Sequence, residues 1–182
     1  MDYQLRQATP GDALAVVLFH TLAHEESYGH LLSPEFFRSR RASIPERVER
    51  RRPHLAVADP RIIAVDGNNH IVGLADAGPG RDDHGPENLE LYSIFTLRHT
   101  HGTGLGAALL SAAVGDSPAY LWVLQDNPRA QAFYLKHGFR PDGARGLLPP
   151  EWEELPQLRM VRLAPVGQSI PGNLGQVPHG SS

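Results

Sequence analysis

The segment from Leu89 to Val114 limits what this chain can fold into more than any other. A β-rich apolar run, Leu89 to Thr96, is followed by His101-Gly-Thr-Gly-Leu-Gly106 and then by a helix-forming run from Ala107 to Val114. Strand, short glycine loop and helix in that order form an anion-binding arrangement. The unpaired N–H groups of a helix start point outward and carry a charge of about +0.5. Gly102, Gly104 and Gly106 lack Cβ atoms, so their backbone can approach a phosphate closely and adopt positive φ. Spacing separates the stretch from two look-alikes. A P-loop needs G-x-x-x-x-G-K-S/T, and no Lys follows these glycines. The dinucleotide fingerprint G-x-G-x-x-G sits directly after a strand, whereas here the spacing is G-x-G-x-G and the loop starts beyond the strand. Taken alone, the motif also fits a turn that only packs a helix on a sheet.

The rest of the chain supplies a setting. Tyr3, Leu5 and Gln7 alternate with Gln4 and Arg6 as a short edge strand, ended by Pro10 and Gly11. Thr9 or Asp12 can cap a helix carrying Leu14, Val17, Leu18 and Leu22 on one face. Ser33-Pro34 starts a second helix, and Pro45 to Arg52 reads as a further charged helical piece. Arg61 to Val65, the turn Asp66-Gly-Asn-Asn69 and Ile71 to Ala77 form a hairpin. Leu89 to Thr96 is then the fourth strand and Tyr120 to Leu124 a buried fifth. Asp126 or Asn127 caps a helix that begins with Pro128 and stops near His137-Gly138. Phe139 opens another strand, and Leu158 to Leu163 is the last. This order predicts one α/β (α+β) domain over residues 1–163, a mixed central sheet with a partly parallel centre flanked by helices. Residues 164–182, rich in Gly, Pro and Ser, read as a disordered tail.

Charge and composition remove several classes of function. Seventeen Lys and Arg face 20 Asp and Glu, so no overall basic field would hold a nucleic acid. The absence of cysteine excludes disulfides, thiolate zinc sites and a cysteine nucleophile. The opening residues MDYQLRQATPGDA do not read as a signal peptide, and no apolar run is long enough to span a membrane. A cytoplasmic location with no membrane partner is the expectation.

Two stretches carry a resemblance. Glu90 to Gly106 (ELYSIFTLRHTHGTGLG), followed by Ala-Ala-Leu-Leu, is similar to the coenzyme A motif of the GNAT family of N-acetyltransferases, a strand, a Q/R-x-x-G-x-G/A loop and a helix. The glycine pair of that motif maps onto Gly104 and Gly106, and its Gln or Arg position onto His101. Asn127, Ala130, Phe133, Tyr134, Gly138 and Phe139 resemble the family's second signature, N-x-x-A-x-x-F-Y-x-x-x-G-F, at six positions. There are two departures. His101 replaces the usual Gln or Arg, which bears on pyrophosphate affinity, and Arg98 stands where a proline commonly follows the strand.

The resemblance implies a GNAT acyl-CoA N-acyltransferase fold, with acetyl-CoA as co-substrate and no metal. It places the pyrophosphate on main-chain donors of His101, Gly102, Thr103, Gly104, Leu105 and Gly106. The pantetheine arm would lie beside the fourth strand, with Ile94, Phe95 and Thr96 along the thioester and their N–H groups able to polarise its carbonyl. Asn127 would bond a pantetheine amide, and Tyr134 would give a proton to the departing thiolate. Glu90 is the candidate base, acting through water; its competing reading is an exposed strand-end carboxylate. The acceptor expected is a small-molecule or protein amine, and a homodimer is common in the family. The rival class is a coenzyme A-binding module without catalysis, serving as a sensor or interaction partner.

Other features admit plainer readings. His20 and His24 sit at i and i+4, but Thr21 occupies the position where H-E-x-x-H needs its Glu, so a surface or helix-end role is expected. Asp82, Asp83, Glu87 and Glu90 either draw a cationic amine inward or form a solvated loop. Arg38 to Arg41, Arg47 and Arg50 to Arg52 read as the solvated face of two helices, or alternatively as a border of the acceptor cleft together with Tyr28, Phe36 and Phe37. An esterase built on Ser117 would need a His and an Asp partner, and the sequence pattern places neither beside it.

Overall fold

The structure, a computed structural model, describes residues 2–164. Of the tail expected over residues 164–182, all but residue 164 lies outside the described residues. Seven strands form one sheet in the order β1-β2-β3-β4-β5-β7-β6. β1 (Tyr3–Gln7), β2 (Arg61–Asp66), β3 (Ile71–Pro79) and β4 (Leu89–Thr96) run antiparallel to one another. β5 (Ala119–Leu124), β7 (Pro156–Arg162) and β6 (Arg140–Leu147) form a second antiparallel half. The halves meet through a short parallel contact between β4 and β5. The β2–β3 turn forms where it was expected. Asn69 takes φ of 63°, and the Asp66 carboxylate accepts from the N–H groups of Asn68 and His70, each at 2.9 Å.

Helices cover both faces. α1 (Ala13–Tyr28) and α3 (Ile44–His54) bury Val16, Phe19 and Val48 against Ile63 and Leu74 on one face. α4 (Leu105–Val114) and α5 (Pro128–Lys136) bury Leu109, Leu110 and Tyr134 against Ala75, Leu91 and Leu121 on the other. α2 (Pro34–Ala42) starts as expected, with Ser33 Oγ accepting from Phe36 N–H at 3.1 Å. Its Phe36 and Phe37 pack with Tyr28 and with Trp152 of the β6–β7 connection, which thereby closes over one side of β4.

The expected apolar face of α1 is rotated. Val17 is buried, but Leu14, Leu18 and Leu22 are 53%, 48% and 46% exposed. Val16, Phe19, Ala23 and His24 face the sheet instead. No described helix is long and apolar enough to cross a membrane.

Candidate active site

β4 and β5 pair only at Glu90–Tyr120 and Leu91–Leu121, and then they part. Along β3, Asp76 faces Ser93 and Ala77 faces Leu91, so Tyr92 is the extra residue of a bulge in β4 at the point of parting. Beyond it β4 keeps β3 on one edge and has no strand on the other. Leu97 N–H donates to Val72 O at 3.1 Å. Alternation along the strand therefore turns the N–H groups of Ile94 and Thr96 into the gap, and that of Phe95 towards β3. Of the three residues expected along a thioester, two offer main-chain donors and the third offers its side chain. The gap opens into a cleft of about 1510 Å³ that also reaches α1, α2, α5 and the β6–β7 connection.

The glycine loop forms one end of this cleft. Gly102 and Gly104 have φ of 80° and 87°, left-handed values that oppose any side chain. Nothing lies within 4 Å of where a Cβ would sit at either, so the backbone is open to a ligand. The loop's donors are fewer than the motif suggested. His101 N–H is committed to Arg98 O and Thr103 N–H to Thr100 O. Those of Gly102, Gly104, Leu105 and Gly106 have no acceptor among the described residues, and Ala107 at the helix start joins them. The His101 imidazole is held below the ordinary histidine range, first by burial and then by the charge of Arg129, with Arg98 adding to it. Two arginines thus stand close enough to His101 to act on its charge. Arg98 also uses what a proline would lack: its N–H donates to the Glu26 carboxylate at 2.7 Å, tying the end of β4 to α1.

Tyr134 reaches the cleft from α5 and is 7% exposed. Burial, with the neighbouring Tyr28, raises its pKa well above the usual phenol value, so it stays protonated at any ordinary pH. Asn127 caps α5, its Oδ1 accepting from Ala130 N–H at 3.1 Å. That bond occupies the oxygen and leaves the amide N–H₂ for a ligand.

Glu90 also borders the cleft, but it is 1% exposed rather than a solvated strand end. Its Oε2 accepts from Arg81 N–H and Nε, each at 3.0 Å, and from the Tyr120 hydroxyl at 3.1 Å, while Oε1 takes Arg81 Nη2 at 2.5 Å. Asp82 is likewise engaged, by Trp122 Nε1 and by Arg159 at 2.8 Å. These two members of the acidic group are neutralised ties between loop and sheet, not a free field for a cation.

The cleft is also lined by His20, His24 and Asp76, which the sequence did not assign to the site. His20 and His24 are not at the surface. Their rings stack at 5.3 Å and meet Phe95 edge-on at 5.6 and 4.8 Å. Burial is the main cause that lowers His20 to about 4 and takes His24 well below its usual value, so both are neutral. Asp76 on β3, 4% exposed, binds Arg51 Nη2 at 2.5 Å and Ser93 Oγ at 3.3 Å. The basic run divides: Arg38, Arg41, Arg50 and Arg52 are solvated, Arg47 is buried, and Arg40 and Arg51 line the cleft. Arg40 and Arg51 thus stand where the alternative reading of the basic run put the border of a cleft. Among the described residues no group of three or more His, Asp or Glu is placed to hold a metal ion.

A mixed sheet that parts at its centre beside a glycine-bounded helix start is the fold shared with solved N-acetyltransferases. The chain belongs to the GNAT acetyltransferase family, whose sequence model matches residues 23–139. Uncharacterized N-acetyltransferases of Mycobacterium tuberculosis and Mycobacterium bovis are 37% identical in an alignment of 97 residues that covers 49% of this chain and 60% of theirs. The matched region thus spans about 60% of those relatives' length. The PaiA N-acetyltransferase of Thermoplasma acidophilum, solved with coenzyme A, superposes with a TM-score of 0.68 at 16% identity, covering 89% of this chain and 99% of its own. A phosphinothricin acetyltransferase of Sinorhizobium meliloti, solved with AcCoA, does so at 0.62 and 21% identity, over 89% and 88%.

Proposed function

We propose that this chain transfers an acetyl group from acetyl-CoA to an amine of a small molecule or protein by direct attack. One observation carries the reading: the unpaired edge of β4, the open glycine loop and Tyr134 all border one cleft. An extended thioester arm laid along β4 would meet the N–H groups of Ile94 and Thr96. Its phosphates would meet the free N–H groups from Gly102 to Ala107. That coenzyme A or AcCoA is bound in two relatives of the same fold supports the same donor.

The chemistry follows from these positions. The amine nitrogen attacks the thioester carbon, and the carbonyl oxygen becomes an oxyanion that β4 N–H groups stabilise. The C–S bond then breaks. Tyr134 gives its proton to the leaving sulfur and regains one from solvent. The proton shed by the nitrogen leaves through water. Glu90, buried and held by Arg81 and Tyr120, would receive that proton only through such a relay. Calorimetric titration with acetyl-CoA, with NAD and ATP as controls, tests the donor. Micromolar binding of acetyl-CoA alone, followed by thiol release with an amine, is the expected result; no binding would leave only a shared fold.

A further inference from the structure

Five buried side-chain polar atoms make no hydrogen bond among the described residues: His20 Nε2, His24 Nδ1, Arg40 Nε, Arg51 Nε and Asp76 Oδ1. All five belong to residues that line the cleft, and they form one wall of it: His20 stacks on His24, Arg51 binds Asp76, and Asp76, Arg51 and Arg40 all act on His20. Buried polar groups are ordinarily paired, and a gathering of exceptions at one wall marks groups that a polar ligand would satisfy.

The charges on that wall say what kind of ligand. Arg40, Arg47 and Arg51 all act on His20, against the single carboxylate of Asp76. Asp76 is shared, by Arg51 at 2.5 Å and by Arg61 at 3.8 Å. Arg47 spends Nη1 on Thr21 Oγ1 at 2.8 Å and on Arg40 O at 3.1 Å. Arg40 has no carboxylate partner among the described residues. Its guanidinium lies 4.7 Å over the Trp152 ring and 5.5 Å from Phe36. A guanidinium laid on an aromatic face keeps its N–H edge free, and that edge matches a carboxylate in two-point contact. Trp152 is 5.1 Å from His24, and His24 is 4.8 Å from Phe95 on β4. Arg40, Trp152, His24 and Phe95 therefore form one unbroken line of contacts from α2 to β4, and all four line the same cleft.

Resting on acetyl transfer as proposed above, we infer that the acceptor is a small amino carboxylic acid, its carboxylate on Arg40 and its amine between Asp76 Oδ1 and the two imidazoles beside Phe95. Asp76 and the imidazoles supply acceptors for the amine hydrogens, and Arg40 gains the anion that the fold withholds. Neutral amines, polyamines and the interior lysines of proteins lack that anion.

The test uses the full chain with acetyl-CoA and matched sets of amino acid, its carboxamide and its decarboxylated amine, followed by thiol release. The carboxylate-bearing members should react with kcat/KM at least tenfold above their matched partners. Arg40→Gln should erase that preference by raising KM, with acetyl-CoA affinity unchanged by calorimetry, and Arg40→Lys should restore part of it. Equal or better turnover of the neutral members overturns the inference while acetyl transfer stands. So does a preference that survives in Arg40→Gln, or coenzyme binding without turnover of any amino acid. Failure to bind acetyl-CoA removes the reading on which the inference rests.

Discussion

Tyr134 and Glu90 entered together as catalytic candidates, and their surroundings now separate them. Tyr134→Phe removes only a hydroxyl, from a ring packed beside Phe133 and Phe139. Turnover should fall about 10²- to 10⁴-fold, the usual worth of a positioned proton donor, with acetyl-CoA affinity nearly unchanged. Comparing steady-state rates with calorimetric Kd checks this, and a matching loss of binding would make the ring structural. Glu90→Gln should act the other way. It weakens the tie to Arg81 and should cost about 1–3 kcal/mol of stability in a denaturant titration, leaving turnover within a few-fold. Lost turnover at unchanged stability would return Glu90 to the role of base. The pH profile belongs to the same scale. Burial holds His20 near 4 and Tyr134 above the phenol range, so neither changes charge between pH 6 and 9. The acceptor amine must then shed its own proton. At saturating acetyl-CoA, kcat/KM for the amine should climb about tenfold per pH unit towards an amine pKa of about 10. A plateau near pH 7 would reveal a base in the cleft. Asn127, Tyr134 and the glycines were legible because their spacing lies within one short stretch. Arg40, Asp76 and the two histidines come from α2, β3 and α1, and no local pattern announces that they share a wall.

At the scale of elements, the strands, the hairpin and the helix starts could be read because turn and cap chemistry is local. Ser33-Pro34 and Asn127-Pro128 each begin a helix, and each cap accepts the expected N–H. The face of α1 could not be read the same way. Leu14, Leu18 and Leu22 recur every four residues as a core stripe would, yet Val16, Phe19 and Ala23 are the residues buried with Val48 of α3 and Ile63 and Leu74 of the sheet. Which face is buried depends on the neighbour and not on the helix alone. The glycine loop also has a consequence at this scale. Gly104 ends the loop in a left-handed conformation and caps α4. A β-branched residue there must either strain, at about 1–2 kcal/mol, or rebuild the helix start. Gly104→Val should therefore abolish acetyl-CoA binding in calorimetry and lower stability only modestly. Unchanged affinity would remove the loop from the coenzyme site.

The whole molecule is two antiparallel half-sheets joined at their centre by two residue pairs. Nearly every other strand edge in the interior is paired, so the seam is the place where ligand contacts can add most to the native state. An arm hydrogen-bonded along Ile94 and Thr96, with phosphates on α4 and an amide at Asn127, would bridge β4, α4 and α5 at once. Ligand at a hundred times its Kd stabilises by about 2.7 kcal/mol. In a chain of this size that corresponds to a rise in Tm of roughly 5–10 °C. Amide exchange should slow most at Ile94, Thr96 and the first turn of α4, since those N–H groups gain acceptors. The N–H of Phe95, already committed to β3, should change little and serves as an internal control. A Tm rise with uniform protection across the sheet would mean that coenzyme binds elsewhere, because only occupation of the seam distinguishes alternate residues of a single strand.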